Sequence, residues 1–481
     1  MSEAQLGTSD IARLLGISRP RVWQLRKDPT FPQPIGRDKN DHEYWYETQI
    51  LRWAATARKD LAAKAPRLWR ATSGRRAPYL GTTIIDGYMV VLWDSEVGRI
   101  GQAYAPAGLP IDRTGEILAR LLPRVHADVL VGQDAAQYDQ WGPELRAVDA
   151  DVPDRVYRPR WADLANVIGT AAPYWPHGLV QPEAMERWMP DSPPPAVAPR
   201  HPELNTAPLL RMHSTSPDDS HTGRAALHLA RAIDAQAAEA ARGDIRMLAN
   251  RIDRSSIALA ATILEPAAVD DPREEVLRNG WSEIIVRSDP LAHECVLLAA
   301  QWDGGRYFPF STTTTLRREH SDQARAWYDT LKPAESTAAI TRLTRGTPQA
   351  CFTDPATDLP AIISERGDLV AAVPQRLPAS KPLGEVIFSD GQVWIRTTDG
   401  TLYLAPEQSG CGLMWGYRGS GATTLAYLLN RLLADINSLS PRHVPGQDEQ
   451  VPPGLFELIA NTPRTEGATY TRAELLSAQA A

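Results

Sequence analysis

The chain has 481 residues, 43% of them hydrophobic, which is enough material for several domains with separate apolar cores. Its three cysteines, Cys295, Cys351 and Cys411, are odd in number and far apart, so they indicate neither a disulfide framework nor a cysteine-rich zinc site. No apolar run approaches the roughly 18 residues of a membrane helix, and the first residues lack a signal-peptide pattern. We therefore expect a cytoplasmic protein that does not interact with a membrane.

Residues 8–26 have the pattern of two short helices joined by a glycine turn. Thr8 or Ser9 can cap the first helix, Gly16 allows the sharp turn, and Ser18 is a natural N-cap for the second helix. The apolar residues of the first helix fall on one face: Ile11, Leu14 and Leu15.

The second helix is predicted to present polar side chains to solvent, because Val22 and Leu25 point back at the first helix. Arginine and glutamine can hydrogen-bond the edges of guanine and adenine through two atoms at once. The residues that we expect to contact DNA from this helix are Ser18, Arg19, Arg21, Gln24, Arg26 and Lys27.

A short hairpin, or wing, is predicted after the second helix, since residues 31–35 lead through a polar turn into the aromatic segment 43–46. A closing helix over about 47–58 follows, with Ile50, Leu51 and Trp53 on its packing face.

In this order, the elements of residues 1–60 resemble the small winged helix-turn-helix DNA-binding domains of the AlpA, excisionase and MerR type. The resemblance implies that the second helix enters the major groove of double-stranded DNA. It also implies that the wing lies on the DNA backbone, where Arg37 and Lys39 would contact phosphates.

The charge distribution agrees with a DNA-binding N-terminus. Residues 1–80 contain 15 Lys and Arg against 8 Asp and Glu, a surplus of seven positive charges, whereas the whole chain has a net charge of −7. The remaining residues therefore carry a net charge of −14, so one basic end is predicted to contact phosphate. Only six of the 51 basic residues are lysine, which is typical of a high-GC bacterium or its plasmids and phages.

Residues 80–250 are predicted to form an α/β domain, because apolar runs alternate with helical patterns. The predicted strands are 88–93, 100–104 and 127–131, and the predicted helices are 113–122, 140–148 and 222–248. A proline-rich loop over 188–208 precedes the last of these helices.

The C-terminal half is predicted to form two smaller domains, so the fold class is multidomain α/β and α+β. A β-rich domain over 270–378 is expected to contain strands at 283–286, 295–300 and 307–310. A small domain over 384–440, a β-hairpin followed by a helix, is expected before a polar, mobile tail over 441–481.

A glycine-rich segment from Gly416 to Thr424 has the glycines and hydroxyls of a P-loop but not its lysine, since Ala422 stands at that position. We therefore do not expect nucleotide binding there. With Trp415, this segment resembles a small uncharacterised actinobacterial and phage domain, a resemblance that implies architecture and no activity.

One group of residues in the α/β domain could be catalytic. Asp94 and Glu96 end the first predicted strand on one face, and Asp139 ends a segment predicted to open a helix. These positions resemble two motifs of the DEDD family of 3′–5′ exonucleases, which have an RNase H-like fold. The resemblance implies that carboxylates hold two Mg²⁺ or Mn²⁺ ions.

The resemblance is incomplete, because His221 would be the third motif but Ala226 stands where a metal-binding aspartate belongs. Asp163 and Asp234 are the first candidates to replace it. We expect no metal, no cofactor and no catalysis, with Asp94, Glu96, Asp139 and His221 as the alternative site.

The expected function is sequence-specific binding of double-stranded DNA, in regulation or in the maintenance of a mobile element, with a homodimer as the candidate assembly. The first alternative is a metal-dependent exonuclease that the N-terminal domain directs to DNA. The second is a non-catalytic scaffold or defence component.

Overall fold

The structure is a computed structural model that describes every residue except 1–4, 38, 40, 59, 71, 106–108, 110–112, 140–141, 153–154, 251–253, 266–271, 409–411, 447–450 and 465–466. The side chains of residues 63, 134–139 and 254 also lie outside the described part. The described residues form a mixed α/β protein with 15 α-helices and several small sheets. Among them, no helix has both the length and the apolar character needed to cross a bilayer.

The chain divides into two compact units. The first comprises Met1–Leu204 and Asp234–Ala268, and the second comprises Asn205–Ile233 and Val269–Ala481.

The first unit begins with two short helices and a small antiparallel sheet. The elements are β1 (Gln5–Leu6), α1 (Thr8–Leu15), α2 (Arg19–Leu25), β2 (Gly36–Arg37), β3 (Glu43–Tyr46) and α3 (Glu47–Ala57), and the strand order is β1–β3–β2. The prediction that Thr8 or Ser9 caps α1 was wrong, because the N-cap is Gly7. The Asp10 carboxylate accepts the Gly7 amide at 3.1 Å, so the aspartate provides the capping interaction from inside the helix.

A five-stranded sheet follows two 3-10 turns, Ala62–Lys64 and Arg67–Trp69. Its elements are β4 (Tyr79–Ile85), β5 (Tyr88–Ser95), β6 (Gly98–Tyr104), α4 (Thr114–Leu121), β7 (Val129–Asp139) and β8 (Gly142–Asp149), in strand order β4–β5–β6–β7–β8. Only the β6–β7 pair, connected through α4, is parallel.

Two features of this sheet differ from the sequence-based expectation. Strand β4 was not predicted, although Asp86 and Gly87 both have positive φ and form the type of two-residue turn that joins hairpin strands. The helix predicted over 140–148 was wrong, because its described residues form β8, which pairs antiparallel with β7. Leu145 and Ala147 are buried at a spacing of two, and this strand periodicity outweighs the helical reading.

The remaining elements of the middle region connect the two units in sequence. They are α5 (Trp161–Ile168), β9 (Ala172–Tyr174), α6 (Pro182–Arg187), β10 (Ala196–Val197), α7 (Ala207–Thr215), α8 (His221–Ala249), a 3-10 turn (Arg254–Ser256), β11 (Ile257–Leu259) and β12 (Thr262–Ile263). The long alanine-rich helix is present where it was predicted, and the boundary between the units falls within it, between Ile233 and Asp234.

The region predicted to be β-rich begins with two helices. Its elements are α9 (Glu274–Ile285), α10 (Pro290–Asp303), β13 (Phe310–Leu316), α11 (Asp322–Tyr328), β14 (Lys332–Pro333), α12 (Ile340–Leu343), β15 (Ala350–Asp354), β16 (Leu359–Ile363) and β17 (Leu369–Pro374). The strands predicted at 283–286 and 295–300 were therefore wrong, and of 307–310 only Phe310 is in a strand. Asp289 caps α10 by accepting the Ala292 amide at 3.1 Å, and Pro290 follows it, a helix-start signal that the apolar runs concealed.

The preceding strands form a five-stranded sheet in the order β13–β17–β16–β15–β14, and the last elements include a separate four-stranded sheet. They are β18 (Leu383–Ser389), β19 (Gln392–Thr397), β20 (Leu402–Leu404), α13 (Ser420–Ala434), α14 (Pro453–Asn461), β21 (Ala468–Thr471) and α15 (Arg472–Ala480), with strand order β20–β19–β18–β21. The prediction of a mobile tail was wrong, because β21 pairs with β18 and Leu475 is fully buried. The Thr471 side chain caps α15 by accepting the Glu474 amide, and the Thr471 amide donates to the Glu474 carboxylate at 2.8 Å, so this segment carries its own helix-start signal.

Candidate nucleic-acid interface

Helix α2 is fixed by its two buried residues. Val22 and Leu25 are 0% and 4% exposed and belong to the same core cluster as Ile11 and Leu15 of α1. Gly16 ends α1 in the left-handed conformation, with φ of 64°, which lets the chain turn sharply into α2. The opposite face of α2 therefore has to point to solvent.

The outward face of α2 and the turn that follows it form a stripe of four residues, of which Lys27 lies two positions beyond the end of the helix. Pro20, Trp23, Gln24 and Lys27 follow the i, i+3, i+4, i+7 spacing, which places them on one side of a helical turn. All four are exposed. We call these residues the α2 stripe.

Two polar side chains at the stripe are already paired in a way that suits base recognition. Arg21 donates from Nη1 to the Gln24 Oε1 at 2.9 Å, and both residues are exposed. A neutral amide and a guanidinium joined by one exposed hydrogen bond can exchange that bond for the edge of a purine at little cost.

Arg26, which we expected to face outward, is held within the protein. Its side chain is 21% exposed and forms an ion pair with Glu43 of β3. The guanidinium carbon lies 4.4 Å from the Trp23 ring centroid and 5.0 Å from that of Trp45. Arg26 therefore connects α2 to the wing strand and positions its neighbours, and the expected outward orientation was wrong.

The wing has a similar division between paired and unpaired charges. Arg37 bonds the Asp41 carboxylate at 2.9 Å and lies 3.7 Å from Glu43, and the Asp41 hydrogen bond raises the pKa of its guanidinium. Lys39 is exposed in the turn of the wing.

Ser18 occupies the N-cap position of α2, but its exposed hydroxyl makes no capping bond.

A cation that the sequence did not reveal lies beside the turn between α1 and α2. Lys64 is exposed, and its Nζ is 3.9 Å from the point where a Cβ at Gly16 would lie. Because Lys64 is far from this turn in sequence, no local pattern could have placed it there.

Most other basic residues of this region are neutralised by carboxylates. Ion pairs join Arg13 to Asp10, Arg52 to Asp163, Arg58 to Asp60, Arg70 to Asp151 and Arg76 to Asp191. Within the described part of residues 5–80, the basic side chains without such a carboxylate partner are Arg19, Arg21, Lys27, Lys39, Lys64 and Arg75. Three of these six are in or directly after α2, so the available positive charge is concentrated at the helix.

The N-terminal elements are packed against the five-stranded sheet region rather than loosely linked to it. The Arg52 guanidinium of α3 makes two bonds to the Asp163 carboxylate of α5, at 2.5 and 2.6 Å. Trp69 Nε1 donates to the same carboxylate at 3.1 Å. Asp163 is thus fully used in joining α3 to α5, which disagrees with its candidacy as a fourth metal ligand.

A polar cleft of about 840 Å³ lies beside this contact in the first unit. Its lining includes Arg52, Arg70, Ser73, Asn166 and Thr170. Both arginines already form ion pairs with aspartates. Neither of them is therefore available to bind an anionic ligand in the cleft.

The carboxylates of the exonuclease alternative are not brought together by the backbone. Asp94 of β5 pairs with Arg99 of β6. The next residue of β6, Ile100, pairs with Val129, the first residue of β7, so Asp94 lies near the end of the sheet where β7 begins. Asp139 is the last residue of β7 and pairs with Gly142, whereas Val129 pairs with Asp149 at the other end of β8, seven residue steps or about 23 Å away. The side chain of Asp139 lies outside the described part, but its segment continues a strand and does not open a helix as predicted.

The other members of that alternative also have structural partners. Glu96 is exposed in a hairpin turn and accepts the Ser73 amide at 2.8 Å and the Ser73 hydroxyl, and these bonds lower its pKa. His221 Nδ1 lies 3.3 Å from Glu283, and burial raises the pKa of Asp234. Among the described residues, no group of three or more histidine, cysteine or acidic side chains could hold a metal ion.

The glycine-rich segment before α13 is filled by a side chain of its own. The Gly421 amide donates to the Tyr417 hydroxyl at 3.1 Å, so the tyrosine occupies the first turn of the helix. A Cβ at Gly419 would lie 2.3 Å from the Tyr417 ring, and one at Gly421 would lie 2.7 Å from its oxygen. These glycines therefore permit close packing of Tyr417.

The chain matches no protein-family model, no curated protein and no solved structure.

Proposed function

We propose that the protein binds double-stranded DNA in a sequence-specific manner through the α2 stripe and the adjoining wing. The observation that carries this proposal is the contrast in charge pairing. Arginines elsewhere in residues 5–80 are mostly committed to carboxylates, whereas Arg19, Arg21 and Lys27 at α2 are exposed and form no ion pair among the described residues. Asp60 interacts with Arg21 electrostatically, but its hydrogen bonds go to Arg58. Unpaired cations along one exposed helix are the chemistry that phosphate attraction requires.

The same face also carries groups suited to reading bases. Gln24 and Arg21 present an amide and a guanidinium at neighbouring positions of the exposed surface. Their helix packs against α1, and its buried residues Val22 and Leu25 belong to the core of the first unit, so its orientation is fixed by packing. A rigid element with paired donors and acceptors favours direct readout in the major groove.

Lys64 and Lys39 are proposed to contact the DNA backbone on either side of α2. Lys64 is adjacent to the turn that precedes the helix, and Lys39 is in the turn of the wing. Exposed ammonium groups are suited to phosphate contact and carry no base information.

The test is selection of a preferred duplex from a random pool with the full chain, followed by affinity measurements on that duplex and on a scrambled duplex. Arg21→Ala and Gln24→Ala should each weaken binding to the selected duplex by ~1–3 kcal/mol and affect the scrambled duplex much less. Arg366→Ala, at an exposed arginine of the second unit, is the matched control and should change neither affinity.

Equal losses on both duplexes would assign Arg21 and Gln24 to backbone contacts. Failure of the selection to enrich any sequence would reject sequence-specific binding altogether.

A further inference from the structure

An exposed tryptophan lies at the centre of the proposed DNA-binding face. Trp23 is 56% exposed, and no other tryptophan in the described part of the chain is in the exposed class. It belongs to the α2 stripe and lies on the opposite side of the helix from the buried Val22 and Leu25. A large ring in this position leaves apolar area in contact with water, which is unfavourable unless another molecule covers it.

The ring is also held in one orientation. The guanidinium of Arg26 lies 4.4 Å from its centroid, and Arg26 is itself fixed by the ion pair with Glu43 and by the Trp45 ring. A side chain that is exposed yet positioned loses little conformational freedom when a ligand covers it. The free part of the indole is thus prepared for contact.

The neighbours of Trp23 indicate what that contact is. Gln24 follows it directly, and Arg21 and Lys27 flank it, so a partner must be anionic and must also offer an apolar group. In the major groove, the apolar group on a base edge is the C5-methyl of thymine, and 5-methylcytosine carries its methyl at the same ring position.

We infer that Trp23 is a specificity-determining residue that packs on the C5-methyl group of a pyrimidine next to the purine contacted by Arg21 or Gln24. This inference rests on the proposed function. It adds that the recognised site contains a methylated pyrimidine whose methyl group contributes to affinity.

The experiment uses the selected duplex and replaces each thymine in turn by uracil, which removes only the methyl group. For the native chain, uracil at one position should weaken binding about three- to fivefold, as expected for one buried methyl. Trp23→Ala should bind the thymine and uracil duplexes equally, whereas Trp23→Phe should keep part of the difference. Urea unfolding of each variant verifies that the exposed position leaves the fold unchanged.

A second pair of duplexes distinguishes the two sources of the methyl group. The sensitive thymine–adenine pair is replaced by cytosine–guanine, with and without a methyl group on the cytosine. Tighter binding of the methylated cytosine duplex than of the thymine duplex assigns the site to modified DNA, and the reverse order assigns it to thymine. Both results support the contact if Trp23→Ala abolishes the methyl preference.

Two outcomes overturn the inference while the proposed function stands. One is a selected duplex on which no uracil substitution weakens the native chain. The other is a uracil effect of the same size in Trp23→Ala, which would place the methyl against a different residue. If no duplex is selected, the proposed function fails and this inference fails with it.

Discussion

Arginines in the N-terminal part of the first unit occupy two contrasting environments. Arg21 on α2 is exposed and bonds only a neutral amide, Gln24. Arg67, just beyond α3, is 15% exposed and reaches Asp128 at 2.6 Å and Asp151 at 2.8 Å. Its backbone amide also donates to the fully buried Asp149 at 2.6 Å.

The contrast shows that a surplus of basic residues does not locate a binding surface. The segment around Arg67 contributes as much positive charge as α2 does. Its arginines, however, form ion pairs with acidic residues of the sheet region. A binding function is expected where charge is exposed and unpaired, and a loss of stability on substitution of one partner is expected where charge is buried and paired.

The largest expected effect tests the paired side of this contrast. Arg67→Met should lower the free energy of unfolding by about 3 kcal/mol, because the buried Asp149 and the partly exposed Asp128 and Asp151 lose their compensating charge. Urea unfolding at neutral pH measures the change. Binding of the folded fraction to the selected duplex should remain as in the native chain, and a selective loss of affinity would show that Arg67 contacts DNA instead.

A smaller effect is expected where α3 joins α5. Asp163→Ala removes the acceptor of two Arg52 bonds and one Trp69 bond, so it should cost about 2–3 kcal/mol in the same unfolding measurement.

The matched control is Asp322→Ala, at an ion pair whose aspartate is 90% exposed, and its cost should stay within about 0.5 kcal/mol. Equal costs for the two variants would contradict a structural role for Asp163.

The elements that the sequence predicted well are those whose signals are local. Ile11 and Leu15 have helical spacing, and Gly16 follows them directly. Together they predict the position of α1 and of its C-terminal end to within one helical turn. The apolar runs at 283–286 and 295–300 have no such signal within them, because a short buried helix and a buried strand look alike in hydrophobicity. The start signal of α10, Asp289 and Pro290, precedes the run at 295–300, and the run at 283–286 lies at the end of α9, far from its N-cap Arg273.

The sequence predicts which helix forms the candidate site and which of its residues face outward. It does not predict which residues from other elements contact that helix. Helical spacing alone identifies Val22 and Leu25 as inward and Gln24 as outward. That Arg26 pairs with Glu43, or that Lys64 lies beside Gly16, depends on contacts between residues distant in sequence. The same spacing places Trp23 outward, but a tryptophan is usually buried, and its 56% exposure is a property that the structure adds.

Acid should destabilise the paired region through Asp151. Hydrogen bonds from Arg67 and Arg70 lower the pKa of this carboxyl, so the folded state prefers its charged form. The resulting stability is present above the ordinary aspartate pKa of about 3.9 and is lost as pH falls through the lower folded pKa. Burial raises the pKa of the neighbouring Asp149, which works in the opposite direction.

Urea midpoints of the native chain and Asp151→Asn, compared at pH 5 and pH 3, measure this contribution. The native chain should lose more stability between the two conditions than the variant does. Parallel losses would place the acid sensitivity elsewhere.

The smallest expected effect concerns the wing, where one carboxylate holds a cation away from DNA. Asp41 has φ of 64°, a conformation that asparagine also adopts readily, so Asp41→Asn should preserve the turn. The change removes a negative charge and releases Arg37 from its partner at 2.9 Å. Affinity for scrambled duplex should rise a few-fold at low salt, and the slope of log affinity against log salt should steepen by about one. Asp322→Asn in the second unit supplies the comparison for a simple change in net charge. If both variants shift the slope equally, the wing does not lie on the phosphate backbone, and Arg37 resembles the paired arginines of the sheet region more than those of α2.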